Sequence, residues 1–137
     1  MRAIFADTSY WIALTNVQDD AHEKAKTLTL SLQPRLFLTS EPVLTEYLNY
    51  FAAWGPGFRR RASVSVQEIL ASQTVKVALH TTEIFMAGLD LYRARLDKGY
   101  SLTDCISMQI MRREGLTDVL TNDRHFEQEG FRALFRF

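Results

Sequence analysis

Ala3-Ile4-Phe5-Ala6-Asp7-Thr8-Ser9 sets four apolar residues directly before three that favour turns and helix N-caps. A short unbroken apolar run fits a strand buried on both faces, as in a parallel sheet, and the polar trio fits its abrupt end. Asp7 then stands where the strand stops. The surrounding stretch MRAIFADTSYWIAL carries that acid in its middle and lacks a small-residue cleavage site, so it reads as a buried strand rather than a signal peptide.

Outward from this segment the pattern alternates. Trp11 to Leu14 reads as a short helix. Asp20 with Glu23 offers a capping pair for a second, whose Ala21, Ala25, Leu28 and Leu32 share a face before Pro34 ends it. Leu36-Phe37-Leu38 is a second buried strand closed by Thr39-Ser40, and Pro42 suits the first turn of the following helix, where its missing N–H is harmless. Leu44, Tyr47, Leu48 and Phe51 give that helix a core-facing stripe, and Gly55-Pro56-Gly57 breaks it. A helix from Phe58 to about Ala71 and a strand around Val75–Leu79 come next. Thr81 or Thr82 caps a helix with Phe85, Gly88, Leu89, Tyr92 and Leu96 on one side, ending at Lys98-Gly99. Ser101 opens a helix that runs to Gly115. Val119-Leu120-Thr121 is a fourth strand, followed by Asn122-Asp123, a brief helix and a closing edge strand from Ala133 to Phe137. Strands alternating with helices predict an α/β fold, a mainly parallel sheet with helices on both faces. Right-handed crossovers then bring the strand C-termini to one edge, where ligands bind in such sheets.

The chain's 137 residues suit one domain with a real core. Lys+Arg and Asp+Glu are 16 each, so no overall basic field recruits nucleic acid, and a polyanion would need a local patch or a bound metal. The single Cys105 excludes an internal disulfide and a Cys-rich zinc site, which suits a reducing cytosol and a cytoplasmic protein. No apolar run approaches bilayer length, so no membrane partner is expected.

Four acids fall at the ligand edge: Asp7 and Asp123 at strand ends, Glu46 in the second turn of the helix after the second strand, and Asp104 in the first turn of the helix opened by Ser101. Asp118 belongs to the opposite edge, Glu41 is a weaker fifth candidate, and Asp19, Asp20, Glu127 and Glu129 fit solvated loops or short polar segments. Each of the four also has a plainer role. Asp7 suits a helix cap, Asp104 a capping box with Ser101, and Asp123 a turn. Glu46 resists dismissal, because Val43 and Tyr50 flank it on its helix face and a carboxylate in that setting must be paired, protonated or bound. Two carboxylates about 6 Å apart repel by roughly 3 kcal/mol at an effective dielectric of about 20. Several such pairs rival a domain's whole stability of ~5–15 kcal/mol, so convergent acids call for raised pKa values or a divalent cation, Mg²⁺ or Mn²⁺.

At these residues the chain resembles the PIN domain family over essentially its whole length. The matching pieces are FADTSYW at Asp7, SEPVLTEYLNY at Glu46, YSLTDCIS at Asp104 and LTNDRHF at Asp123. Their order and spacing, more than any single piece, make the match specific. The resemblance implies a three-layer α/β/α sandwich forming a single PIN-like nuclease domain over 1–137. It implies an endoribonuclease dependent on Mg²⁺ or Mn²⁺, with Asp7, Glu46, Asp104 and Asp123 as metal-binding acids and Ser9 and Thr121 as neighbouring hydroxyls. Hydrolysis would leave 5′-phosphate and 3′-hydroxyl ends, with Asp7 the central ligand and Glu46 orienting the attacking water or holding a second ion. Small single-domain members are commonly VapC-like toxins, so an antitoxin that inserts into the acidic groove is implied beside the RNA substrate. The alternatives are an RNA-processing PIN nuclease without an antitoxin and a non-catalytic RNA- or protein-binding module.

Other features carry plainer readings. His22, His80 and His125 lack metal-ligand spacing; His125, two residues from Asp123, reads as a surface residue, with substrate contact the alternative. Arg59-Arg60-Arg61 reads as a solvated helix face, and Arg112-Arg113 complements a helix dipole. Trp11, Tyr47, Tyr50 and Trp54 read mostly as core, and the helical faces rich in Tyr and Trp make a homodimer plausible. An aspartate-based phosphatase would want a second Asp two residues after Asp7, where Ser9 stands.

Overall fold

The computed structural model describes residues 3–32 and 35–135. Its elements run β1 (Ile4–Ala6), α1 (Thr8–Thr15), α2 (His22–Ser31), β2 (Phe37–Ser40), α3 (Glu41–Tyr50), α4 (Pro56–Ala71), β3 (Val75–Ala78), α5 (Thr82–Ala94), α6 (Leu102–Glu114), β4 (Asp118–Leu120), α7 (His125–Gln128) and β5 (Arg132–Ala133). The five strands form one sheet in the order β3-β2-β1-β4-β5, and every neighbouring pair is parallel. Every residue of β1 and β2 is buried, so helices cover both faces, and the α/β sandwich expected from the alternation is what the chain forms. No helix among the described residues is long and apolar enough to cross a membrane.

The strand order locates the functional edge. The chain moves outward from β1 through β2 to β3, then returns past β1 to β4 and β5. Connections therefore leave in opposite directions on either side of the β1/β4 pair, and the crevice at the carboxyl ends of such a pair is where open α/β sheets bind ligands. Register fixes the pair closely, with Phe5 opposite Val119 and Ala6 opposite Leu120.

Most helix limits follow the sequence, and the departures have physical causes. Asp20 does not cap α2; Asp19 does the local work, its Oδ1 accepting the Ala21 N–H at 2.9 Å. Gly55, at φ 92°, occupies the N-cap of α4 and Pro56 enters the helix, so that the Gly-Pro-Gly break is the start of α4 itself. On α3 Leu48 turns outward while Val43, Leu44 and Tyr47 are buried. The stripe expected on α5 is rotated: Ile84, Gly88 and Leu91 face inward, whereas Phe85 and Tyr92 are exposed and Leu96 lies beyond the helix, which ends at Ala94 and not at Lys98-Gly99. Gly88 explains the rotation, since a Cβ there would come within 3.2 Å of Ile106 Cα, and only glycine lets α5 lie this close to α6. The final strand is Arg132–Ala133 and does not begin at Ala133. The expected stop at Pro34, and the end of that strand at Phe137, lie outside the described residues. Trp11 and Tyr47 are core residues, while Tyr50 and Trp54 are exposed by 44% and 41%, so the core reading fails for those two.

Candidate active site

Asp7 ends β1, with its N–H bonded to the Leu120 carbonyl of β4 at 3.0 Å. The residue occupies the N-cap of α1 but its side chain caps nothing. Thr121, just past β4, donates its hydroxyl to Asp7 Oδ2 at 2.8 Å and accepts the Asp123 N–H at 3.0 Å. Ser9 accepts the Asn122 N–H at 3.0 Å, tying α1 to the same loop. These hydroxyls hold the β1 and β4 ends together, and with Ser9 employed as a tie the phosphatase arrangement loses the position where its second acid would stand. Asp7 Oδ1 is left buried with no partner, an unsatisfied charge-bearing atom that structures normally avoid.

Asp104 sits in the first turn of α6 and does make the capping box expected of it. Ser101 Oγ accepts the Asp104 N–H at 3.0 Å, and Asp104 Oδ2 accepts the Ser101 N–H at 3.2 Å. Capping and clustering coexist here, because the helix start points its carboxylate at the β1/β4 crevice. Burial, followed by the Asp104 carboxylate, raises Asp7 to about 7, and Glu46 adds to it. Burial likewise raises Asp104 to about 6, with Asp123 and then Glu46 contributing repulsion. The four acids therefore form one connected field of negative charge. Among the described residues no Lys or Arg comes within salt-bridge distance of any of them.

Two residues differ from their sequence readings. Glu46 is half-buried and lines an open cavity with Asn49 and Thr103, so its setting is wetter than its apolar helix neighbours implied; the neighbouring acids, not desolvation, make it notable. His125 is only partly exposed, where the sequence reading placed it at the surface. Its ring lies beside Tyr100, with centroids 5.3 Å apart, and its side chain is 26% exposed. Nδ1 is 3.2 Å from Asp123 Oδ1 and 3.7 Å from Asp104 Oδ2, and Asp123 Oδ1 also accepts the His125 N–H at 2.9 Å. Asp104, Asp123 and His125 each offer a ligand atom, all within 4.8 Å of one another. The signal in the sequence was the position of His125 two residues after a strand-end acid, spacing that a search for helical histidine pairs passes over. Glu41, the weaker fifth acid, serves structure: its Oε1 accepts the His80 N–H at 2.6 Å.

Carboxylate oxygens suit a hard divalent cation such as Mg²⁺ or Mn²⁺, and the unpartnered Asp7 Oδ1 is the observation that such an ion would satisfy. The arrangement can thus concentrate positive charge where a phosphodiester would approach.

Comparison with known proteins places the fold. The PIN domain family matches residues 4–131. A curated relative, the 23S rRNA-specific endonuclease VapC20 of Mycobacterium tuberculosis, is 33% identical over 131 residues, covering 93% of this chain and 95% of that protein. The crystal structure of M. tuberculosis VapC20, described as a sarcin-ricin loop cleaving toxin, superposes with a TM-score of 0.85 at 30% identity, over 94% of this chain and 96% of that one. Two structures show the same fold at 16% identity: VapBC2 from Rickettsia felis, at a TM-score of 0.67 with 96% of each chain covered, and FitAcB from Neisseria gonorrhoeae, at 0.66 with 95% of each covered. On the match along residues 4–131 and the likeness to VapC20, this chain belongs to the PIN domain family.

Proposed function

We propose that this chain is a metal-dependent endoribonuclease acting as the toxin of a toxin–antitoxin pair, with Asp7, Glu46, Asp104 and Asp123 as its working acids. The observation that carries the reading is the convergence of carboxylates with no Lys or Arg partner among the described residues on the β1/β4 crevice, with a buried, unpartnered oxygen on Asp7. Similarity to VapC20 supports RNA as substrate, and makes 23S rRNA the first RNA to test. It supports the toxin role as well, and hence an antitoxin partner in the cytoplasm.

Asp7, Asp104 and Asp123 would hold Mg²⁺ or Mn²⁺, with His125 beside them. Such an ion supplies positive charge at the phosphoryl oxygens and lowers the pKa of an attacking water. The chain's own residues do the rest. Thr121 fixes Asp7 through Oδ2 and so aims Oδ1 away from the hydroxyl. Ser101 holds Asp104 through Oδ2, and the His125 N–H holds Asp123. Glu46, open to solvent on its cavity side, accepts a hydrogen bond from the attacking water and orients it. Holding reactants in place in this way is worth several powers of ten in rate.

The test is cleavage of 23S rRNA by purified protein in Mg²⁺ or Mn²⁺, beside Asp7→Asn and an excess of EDTA. Scission by wild type alone, abolished in both controls, supports the reading; equal scission in all three rejects it.

A further inference from the structure

Beside the acids, α3, α5 and α6 border a cavity of about 300 Å³ that meets the proposed catalytic acids only at Glu46. Pro42 and Ile106 are buried beneath it, Phe85 and Leu102 form an apolar wall, and Asn49 and Thr103 supply polar atoms. Glu46 belongs to both places, and Thr103 directly precedes Asp104, so the cavity is continuous with the acidic crevice. We infer that it is the subsite for one unstacked nucleobase of the RNA, next to the bond that is cut; this rests on the nuclease reading.

The chemistry of the lining selects that occupant. Among the described residues that line the cavity there is no Lys or Arg, one carboxylate (Glu46) and one imidazole (His80), so the lining favours a neutral, flat group with polar edges over a phosphate. A nucleobase is flat and apolar on its faces and carries donors and acceptors on its edge. Proteins that read single-stranded RNA stack such faces on aromatic rings and bond the edge with side-chain amides and hydroxyls. Phe85 is 38% exposed, more than a core ring needs, and the Asn49 amide both donates and accepts.

The cavity is also preformed. Glu41 pins the His80 backbone at the mouth, and Thr81 caps α5 by accepting the Ile84 N–H at 3.1 Å. Gln109 of α6 donates to the Ala87 carbonyl of α5 at 2.9 Å, one turn from the close approach of Gly88 to Ile106. These ties hold the start of α5 and its packing on α6, and thereby fix the backbone that carries Phe85, so a base entering pays little for ordering the site. The outward turn of Phe85, which no core requirement explains, gains a purpose.

The experiment uses a pool of RNA hairpins with a randomised loop, cut in Mn²⁺ and sequenced at the product ends. Wild type is expected to favour one base, or one class of base, at a position beside the cut. Phe85→Ala and Asn49→Ala should each reduce that preference about tenfold, as loss of a stacking or edge contact does. Phe85→Tyr should keep it, and thermal unfolding checks that each variant is folded. A preference unchanged in folded Phe85→Ala and Asn49→Ala overturns the subsite, as does a wild type that cuts without preference; the cavity would then suit a partner's side chain. Cutting by Asp7→Asn equal to wild type is a different failure, which sinks the nuclease reading and this inference with it.

Discussion

Two places in this molecule hide carboxylates, and they do so by opposite means. Glu129, just after α7, has a side chain only 5% exposed, yet Arg95 and Arg112 both form ion pairs with it and Tyr100 donates its hydroxyl at 3.2 Å. The hydrogen bonds from Arg95 lead the forces that hold its carboxyl well below the usual range, at about 2. Asp7 is the more deeply buried residue, receives one hydroxyl, faces other acids, and is raised to about 7. Both carboxyls bear the desolvation penalty of burial; only Glu129 has cations in the chain to offset it. The fold builds the first arrangement and leaves the second uncompensated, and this contrast is what supports the proposal that Asp7 serves a cation from outside.

That contrast can be broken most forcefully at Asp7. On the proposed function, Asp7→Asn is expected to lower RNA cleavage by on the order of a thousandfold, because it would remove the proposed central anionic ligand while keeping an oxygen for Thr121. Initial rates at saturating Mn²⁺ measure this.

The same substitution should stabilise the metal-free protein. Asp7 has a folded pKa of about 7 against an ordinary value of 3.8, so its ionisation opposes folding above the unfolded value, and the penalty is complete above about pH 7. In EDTA at pH 8, Asp7→Asn should therefore be more stable than wild type by roughly 2–4 kcal/mol, the gap closing as pH falls below about 4. Urea unfolding at the two pH values checks both sign and window. A variant that loses activity and gains metal-free stability is the signature of a group kept for function.

Glu129 predicts the reverse. Its folded pKa is depressed from 4.5 to about 2, so its contribution is present above 4.5 and is lost as pH falls towards 2. Glu129→Gln should cost about 2 kcal/mol at neutral pH, a figure reduced because the two guanidinium groups remain partly in water. Chemical denaturation reads the loss, and metal binding should be unchanged.

The smallest effect sharpens the comparison. Thr121→Val removes the single hydroxyl on Asp7 and leaves the Asp123 N–H without its acceptor. It should cost about 1 kcal/mol of stability and lower cleavage roughly tenfold with the metal requirement intact. Mn²⁺ titration of the cleavage rate separates it from Asp7→Asn.

Much of this arrangement was legible beforehand, because strand ends and helix starts announce themselves locally. The apolar run before Asp7, the Ser101–Asp104 box and Gly115 at the end of α6 each depend on neighbours a few residues away. What failed to show depends on neighbours across space. The sequence of α5 is apolar around most of its circumference, with Ile84, Phe85, Met86, Leu89, Leu91 and Tyr92, so periodicity allowed more than one inward face. The approach to Ile106 at Gly88 chose between them. Glu46 looked embedded because its flanking residues are apolar, but the cavity beside it is made by α5 and α6. His125 looked solvated because Tyr100 and Asp104, which enclose it, lie more than 20 positions earlier. Glu129 looked like a loop charge for the same reason.

Calorimetric titration of Mn²⁺ into wild type, Asp7→Asn and Glu129→Gln tests the central claim most directly. The account predicts saturable binding to wild type and Glu129→Gln, and its loss in Asp7→Asn. Equal binding by Asp7→Asn, or none by wild type, would contradict it.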